Sequence, residues 1–156
     1  LITWSMVNFW LAEAALTLGT PGEPAQYFRQ ALQAQFDDIR SFVNAASLPA
    51  NFEADAAAYI NRRVAAFEAA GSMEAKLNIL IRDKWASSVG NAYGAYNDYL
   101  RTGYPQLEFA QNPQVGVTRI PVRWPYALGE IQGNAENVPL QDYPEGLLVP
   151  VWWMGE

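Results

Sequence analysis

Chemistry needs side chains that are charged, nucleophilic, metal-binding or flat, and this sequence holds a restricted set of them. It contains no cysteine and no histidine, so disulfides, thiolate nucleophiles, histidine-based triads and His/Cys metal centres are excluded within the chain. Carboxylates remain. Asp37 and Asp38 are adjacent, and Glu53 and Asp55 stand two apart; paired acids of this kind do acid–base work when their carboxyl groups face each other across a cleft. Positions one and two apart on a helix do not face each other, so these acids read as solvated surface. No Gly-rich phosphate loop, no calcium-loop spacing of acids and no nucleophile elbow occurs. The expectation is a protein without catalytic residues, bound metal or cofactor, and so not an enzyme.

The flat side chains are more informative. Sugar rings present apolar C–H faces that stack on indole and phenol planes, while nearby amides and carboxylates bind the hydroxyls. Trp124, Tyr126 and Trp153 lie in a proline-rich region where loops can present them at a surface, and they are the candidate ligand-binding residues. The competing reading is packing, since large aromatic rings also serve as core residues. Tyr93, Tyr96 and Tyr99 read as core-facing, and Trp10 and Trp85, on helices, are not expected to offer an exposed indole. Arg101 and Arg123 read as structural tethers for loop carbonyls or a buried acid, with Tyr104 set between rigid turn residues. On that reading, truncating either arginine to alanine costs about 1–3 kcal/mol. Glu13, in Ala12-Glu13-Ala14-Ala15, fits either a buried acid paired with an arginine or an ordinary half-exposed helical glutamate.

Composition sets the frame for these residues. A chain of 156 residues can bury roughly 70% of its unfolded surface in a single domain, and 51% hydrophobic with 13% aromatic residues argues against disorder. The formal net charge is -6. From Trp124 onward there are five acids and no Lys or Arg, which makes duplex nucleic acid an unfavourable partner. No apolar run approaches the roughly 20 residues of a membrane span. The opening Leu1-Ile2-Thr3-Trp4 has no initiator Met and runs straight into a helical pattern, so the chain reads as a piece of something longer, with any export signal upstream.

Apolar residues recurring every three and four positions predict helix after helix through the first hundred residues. The first, from about Thr3 to Leu18, carries Met6, Val7, Trp10, Leu11, Ala14 and Leu18 as its stripe, with Gly19 as its stop. Thr20, Pro21 and Glu23 have capping-box spacing for the second, with Gly22-Pro24 as a later start. Its buried face is Phe28, Leu32, Phe36, Ile39 and Val43, giving an antiparallel hairpin with the first helix. A third, about Glu53 to Ala70, carries Ala57, Ile60, Val64 and Phe67. A fourth is capped by Ser72 and carries Met73, Leu77, Leu80, Ile81, Lys84 and Trp85, and a short fifth starts after Asn91. Beyond Gly103 the period disappears and seven of the ten prolines follow. An all-α fold of helical hairpins is expected, with a body over about 1–103 and an irregular, aromatic-rich tail over about 104–156 wrapped on it. The first two helices echo a tetratricopeptide pair, without a second copy at a period of about 34 residues.

Five segments stand in a familiar order. Phe9-Trp10-Leu11-Ala12-Glu13-Ala14, the stretch from Gly22 to Leu32 with Tyr27-Phe28, Asp83-Lys84-Trp85-Ala86, Arg101-Thr102-Gly103-Tyr104-Pro105, and Pro121-Val122-Arg123-Trp124-Pro125-Tyr126 followed by Glu130 and Asn134 resemble the C-terminal part of the SusD/RagB nutrient-binding outer-membrane lipoproteins. The match departs at Asp83, where the family has Gln, and at Leu100, where it has a second arginine. Val151-Trp152-Trp153 resembles its closing segment.

The resemblance implies the C-terminal part of one mostly helical, tetratricopeptide-related domain, here residues 1–156. It implies a surface lipoprotein in the outer leaflet of the outer membrane, held there only by a lipid anchor outside this chain. Such a protein captures glycans or, in some members, peptides, and delivers them to a TonB-dependent, SusC-like transporter without catalysis. Two other classes fit the residues less fully: a helical-barrel glycoside hydrolase fragment, given two carboxylates about 5–10 Å apart in an aromatic cleft, and a helical protein-interaction scaffold, given buried aromatics and no cleft.

Overall fold

The structure, a computed structural model, describes residues 2–113, 115–139 and 144–152. It is all-α: six helices and three short 3₁₀ turns, with no strand among the described residues. The helices are α1 (Trp4–Thr17), α2 (Pro24–Phe42), α3 (Phe52–Ala69), α4 (Met73–Ser87), α5 (Ala92–Thr102) and α6 (Leu128–Gly133). None of the described helices is long and apolar enough to cross a membrane. The chain divides into two compact units, Leu1–Tyr99 and Leu100–Glu156.

Local signals place the helix ends. Thr3 caps α1 by accepting from the Met6 amide at 3.2 Å, and Gly19 follows its end at φ +66°, a backbone state that an L-residue with a Cβ rarely adopts. Ser72 caps α4 through the Ala75 amide at 3.1 Å. Asn91, just ahead of α5, accepts from the Gly94 amide at 3.2 Å. The capping box at Thr20 does not form. Gly22 sits at φ +114° with the Tyr27 ring so close that a Cβ there would lie 2.3 Å from Tyr27 Cε2. Tyr27 thus closes over the Pro21–Glu23 turn, and α2 starts at Pro24, whose fixed φ and missing N–H suit a first helical position.

In the first unit α1 packs on α2, α2 on α3, α3 on α4 and α4 back on α1. Its centre is a line of rings from three helices. Phe9 lies 6.2 Å from Phe28, and Phe28 lies 5.2 Å from Phe67. Leu32, Leu80 and Ile81 close around them with no exposed surface. Burying each such side chain contributes about 1.5–3 kcal/mol.

The stripe expected on α1 is not the face that is buried. Trp10, Leu11 and Leu18 are exposed, and Ser5, Asn8, Phe9, Ala12 and Glu13 point inward instead. The reason is that α1 is apolar nearly all round, so periodicity alone leaves its rotation open. Two of the inward polar groups have partners on other helices that decide it: the Ser5 hydroxyl donates to the Ala31 carbonyl at 2.9 Å, and Glu13 meets Lys84. On α2, Phe28 and Leu32 are buried as expected while Val43 is exposed, and on α3 Ala56 replaces the expected Ala57.

The second unit has a small core of Pro105, Val117, Val138 and Leu147. Alongside its irregular backbone it holds one short helix, α6, and 3₁₀ turns at Ala135–Asn137 and Glu145–Leu148.

Candidate functional site

Two consecutive residues of α4 organise the charged interior of the first unit. Neighbours on a helix are rotated by about 100°, so Asp83 and Lys84 serve different helices. Asp83, 3% exposed, takes hydrogen bonds from α3: Tyr59 Oη at 2.6 Å and Arg63 Nε at 2.8 and 3.1 Å. Lys84, 5% exposed, turns toward α1 and α5. Its Nζ is 2.8 and 2.9 Å from the two Asp98 oxygens, 3.8 Å from Glu13 Oε2 and 5.9 Å from the Trp10 ring centroid. Glu13 is therefore a buried acid, and a lysine is among its partners. Burial, together with the bond to Asp83, pushes the Tyr59 phenol up to about 12. This constellation holds four helices in one register, and its groups are engaged with one another.

The aromatic candidates lie in the second unit. Arg119 donates to the Leu148 carbonyl at 2.6 Å and the Val122 amide to the Leu147 carbonyl at 2.9 Å, so the segment around Pro121 is braced against the 3₁₀ turn Glu145–Leu148. Arg123 donates to Tyr126 Oη at 3.3 Å and sits 5.4 Å above its ring centroid. The expectation that Arg123 holds a loop carbonyl or buried acid is thereby corrected: Arg119 holds the carbonyl, and Arg123 clamps a tyrosine. Between them Trp124 is 71% exposed, presenting its indole to solvent, whereas Tyr126 is half-buried with one face taken. From Glu130 on α6 into the following 3₁₀ turn, the Asn134 amide donates to Glu130 and the Asn137 amide to Asn134, both at 2.6 Å, a chain of amide and carboxylate groups. Trp153, with the end of the closing segment, lies outside the described residues. Its neighbour Trp152 is 93% exposed.

Arg101 lies exposed in the last turn of α5. Beyond it Gly103 takes φ +73°, and the half-buried Tyr104 donates its amide to Thr102 Oγ1 at 3.1 Å. Trp10 and Trp85 depart from expectation: they are 41% and 44% exposed. Phe9 and Lys84 take the inward directions next to them, which swings each indole outward.

One feature escaped the sequence reading. Between α2 and α3 runs a cleft of about 390 Å³, lined by Arg29, Gln33, Phe36 and Arg40 from α2 and by Glu53, Ala56, Ile60 and Asn61 from α3. Arg40 donates to both Glu53 oxygens, at 2.7 and 2.6 Å, and also pairs with Asp37. These hydrogen bonds hold the Glu53 carboxyl below its usual range. The signal was present in the spacing of Arg29, Gln33, Asp37 and Arg40, which share one side of a helix. Among the described residues no group of three or more acids is placed to hold a metal ion.

The chain matches the model of the SusD-like family, described as SusD and RagB outer membrane lipoprotein, over residues 1–147, and it belongs to that family. Among solved structures it is similar to a Bacteroidetes AC2a SusD-like protein, with a TM-score of 0.78 and 23% identity, over 99% of this chain and 30% of that one. At that identity the likeness shows the fold, and the chain spans under a third of the relative's length. No curated protein matches it.

Proposed function

We propose that this chain forms the C-terminal part of a SusD-like domain, with a helical body over about 1–103 and an irregular tail over about 104–156, in a nutrient-capturing lipoprotein of the outer leaflet. The whole protein binds glycan and passes it to a TonB-dependent, SusC-like transporter, catalysing nothing itself. Family membership over residues 1–147 carries this reading. The exposed indole of Trp124 and the amide–carboxylate chain of Glu130, Asn134 and Asn137 support a glycan as cargo, since one offers a stacking face and the other hydroxyl partners.

The test is calorimetry of the full-length protein against a panel of oligosaccharides and peptides, repeated with Trp124→Ala and Trp153→Ala. An oligosaccharide hit weakened about tenfold in Trp124→Ala, equivalent to about 1.4 kcal/mol, is the expected result. Release of reducing sugar during the titration would overturn the non-catalytic reading. Full affinity in both variants would remove the two rings from the site.

A further inference from the structure

Helix α1 has two apolar sides, and the first unit uses one of them. Ser5, Phe9, Ala12 and Glu13 face inward, where the helix packs on α2 and α4. At about 100° per residue, Trp4, Val7, Leu11, Ala14 and Leu18 line the opposite side, with Trp4 65% and Leu18 78% exposed. No charge lies there. The helix has one charged residue, Glu13, and it turns inward to Lys84. The hydroxyl of Thr17 donates to the Glu13 carbonyl one turn back at 2.8 Å, so it needs no water. A helix side that faces solvent looks different in this chain: α3 exposes Glu53, Asp55, Arg62 and Glu68.

The spacing on the outer side is also specific. Residues 4, 7, 11, 14 and 18 alternate steps of three and four, which is the seam of knobs-into-holes packing between helices. Together with Ile2 and Trp10 they present on the order of 500 Å² of apolar surface, at the upper end for a monomer. Helices that lie on membranes flank their apolar side with Lys and Arg, and α1 has neither. The likeness to the solved SusD-like structure covers 99% of this chain but 30% of that one, so most of the relative's chain has no counterpart in residues 1–156.

We propose that the outer side of α1 is an internal docking face, covered in the whole protein by a helix of the same polypeptide from outside residues 1–156. This rests on the reading of the chain as one part of a longer SusD-like domain. The seam sets the geometry: the covering helix runs within about 20° of the α1 axis, with apolar side chains between Trp4 and Leu18. A charged residue opposite that stretch would be desolvated without a partner, because α1 offers none there. With both sides covered, α1 becomes a middle layer, which is where a helix apolar nearly all round belongs.

Hydroxyl-radical footprinting of the full-length protein tests it, each residue's reactivity being compared with its value in urea. Trp4 and Leu18 are expected to lose most of their reactivity and to match the buried Phe28, whereas solvent-facing side chains at their exposure would stay readily oxidised. A benzophenone amino acid in place of Trp4 then identifies the cover, and irradiation is expected to give an intramolecular cross-link to a segment outside residues 1–156. Unprotected Trp4 and Leu18 would overturn the proposal and leave the longer-domain reading standing. A cross-link to residues 104–156, to a second copy or to added lipid vesicles would overturn it by naming another occupant, as would the absence of any cross-link. A full-length protein that extends no further than residues 1–156 would overturn the proposal and the longer-domain reading together.

Discussion

Lys84 is a primary ammonium removed from water and placed among carboxylates, an arrangement whose net worth is small but whose disruption is expensive. Desolvating the ions offsets most of their attraction, whereas deleting one partner strands the others without water or counter-ion. Lys84→Met is therefore expected to destabilise the chain by about 3–5 kcal/mol, read from the midpoint of urea denaturation at unchanged slope. A loss below about 1 kcal/mol would mean that Glu13 and Asp98 regain solvent. Tyr59 makes the complementary case on the other side of α4. Tyr59→Phe removes its bond to Asp83 and should cost about 1.5 kcal/mol at neutral pH. The pH dependence has a definite sign. The fold holds the neutral phenol, with a value raised to about 12 against about 10 in the unfolded chain. The stabilisation is thus complete below about pH 10 and lost as pH rises toward 12. Denaturation at pH 8 and pH 11 should show the gap between wild type and Tyr59→Phe narrowing at the higher pH.

Helix ends give a comparison that separates sequence spacing from achieved geometry. Ser72 and Thr20 both sit where a capping residue belongs, yet only Ser72 accepts a backbone amide; α2 begins four residues beyond Thr20 because Gly22 and Tyr27 shape the turn. Ser72→Ala should cost about 1 kcal/mol, whereas Thr20→Ala should stay within about 0.5 kcal/mol of wild type. Thermal melts of the pair decide the point, and equal losses would count against the observed start of α2. The five helices of the first hundred residues were legible because the apolar period runs over many turns, whereas the short α6 in the tail was not. The rotation of α1 was not, since nearly every side of it is apolar and the deciding partners, Ala31 and Lys84, belong to other helices.

For the whole molecule the balance of charge matters more than any pair. With 16 acids against 10 bases and none of the bases beyond Arg123, long-range repulsion opposes polyanions. A duplex DNA fragment should show no mobility shift with the chain at about 0.15 M salt, where screening is already substantial. A shift there would expose a basic face that the sequence does not predict. The same composition leaves room for local exceptions such as the Arg29 end of the α2–α3 cleft, because a single uncompensated guanidinium acts over a few ångströms, well within the screening length.

By itself the sequence determined what is set within a few turns of chain: the helical period, the stops and caps at Gly19, Ser72 and Asn91, and the exclusion of histidine and cysteine chemistry. The ordered segments from Phe9 to Tyr126 also carried the family, because its motifs are short and local. Only the tertiary structure decided which side of α1 faces inward and that Glu13, Lys84 and Asp98 share one buried cluster. It likewise decided that Trp10 and Trp85 turn outward and that Arg29 and Arg40 mark the two ends of one cleft. These are pairings between residues far apart in the chain, and they depend on how packed helices rotate against one another, which no local spacing encodes.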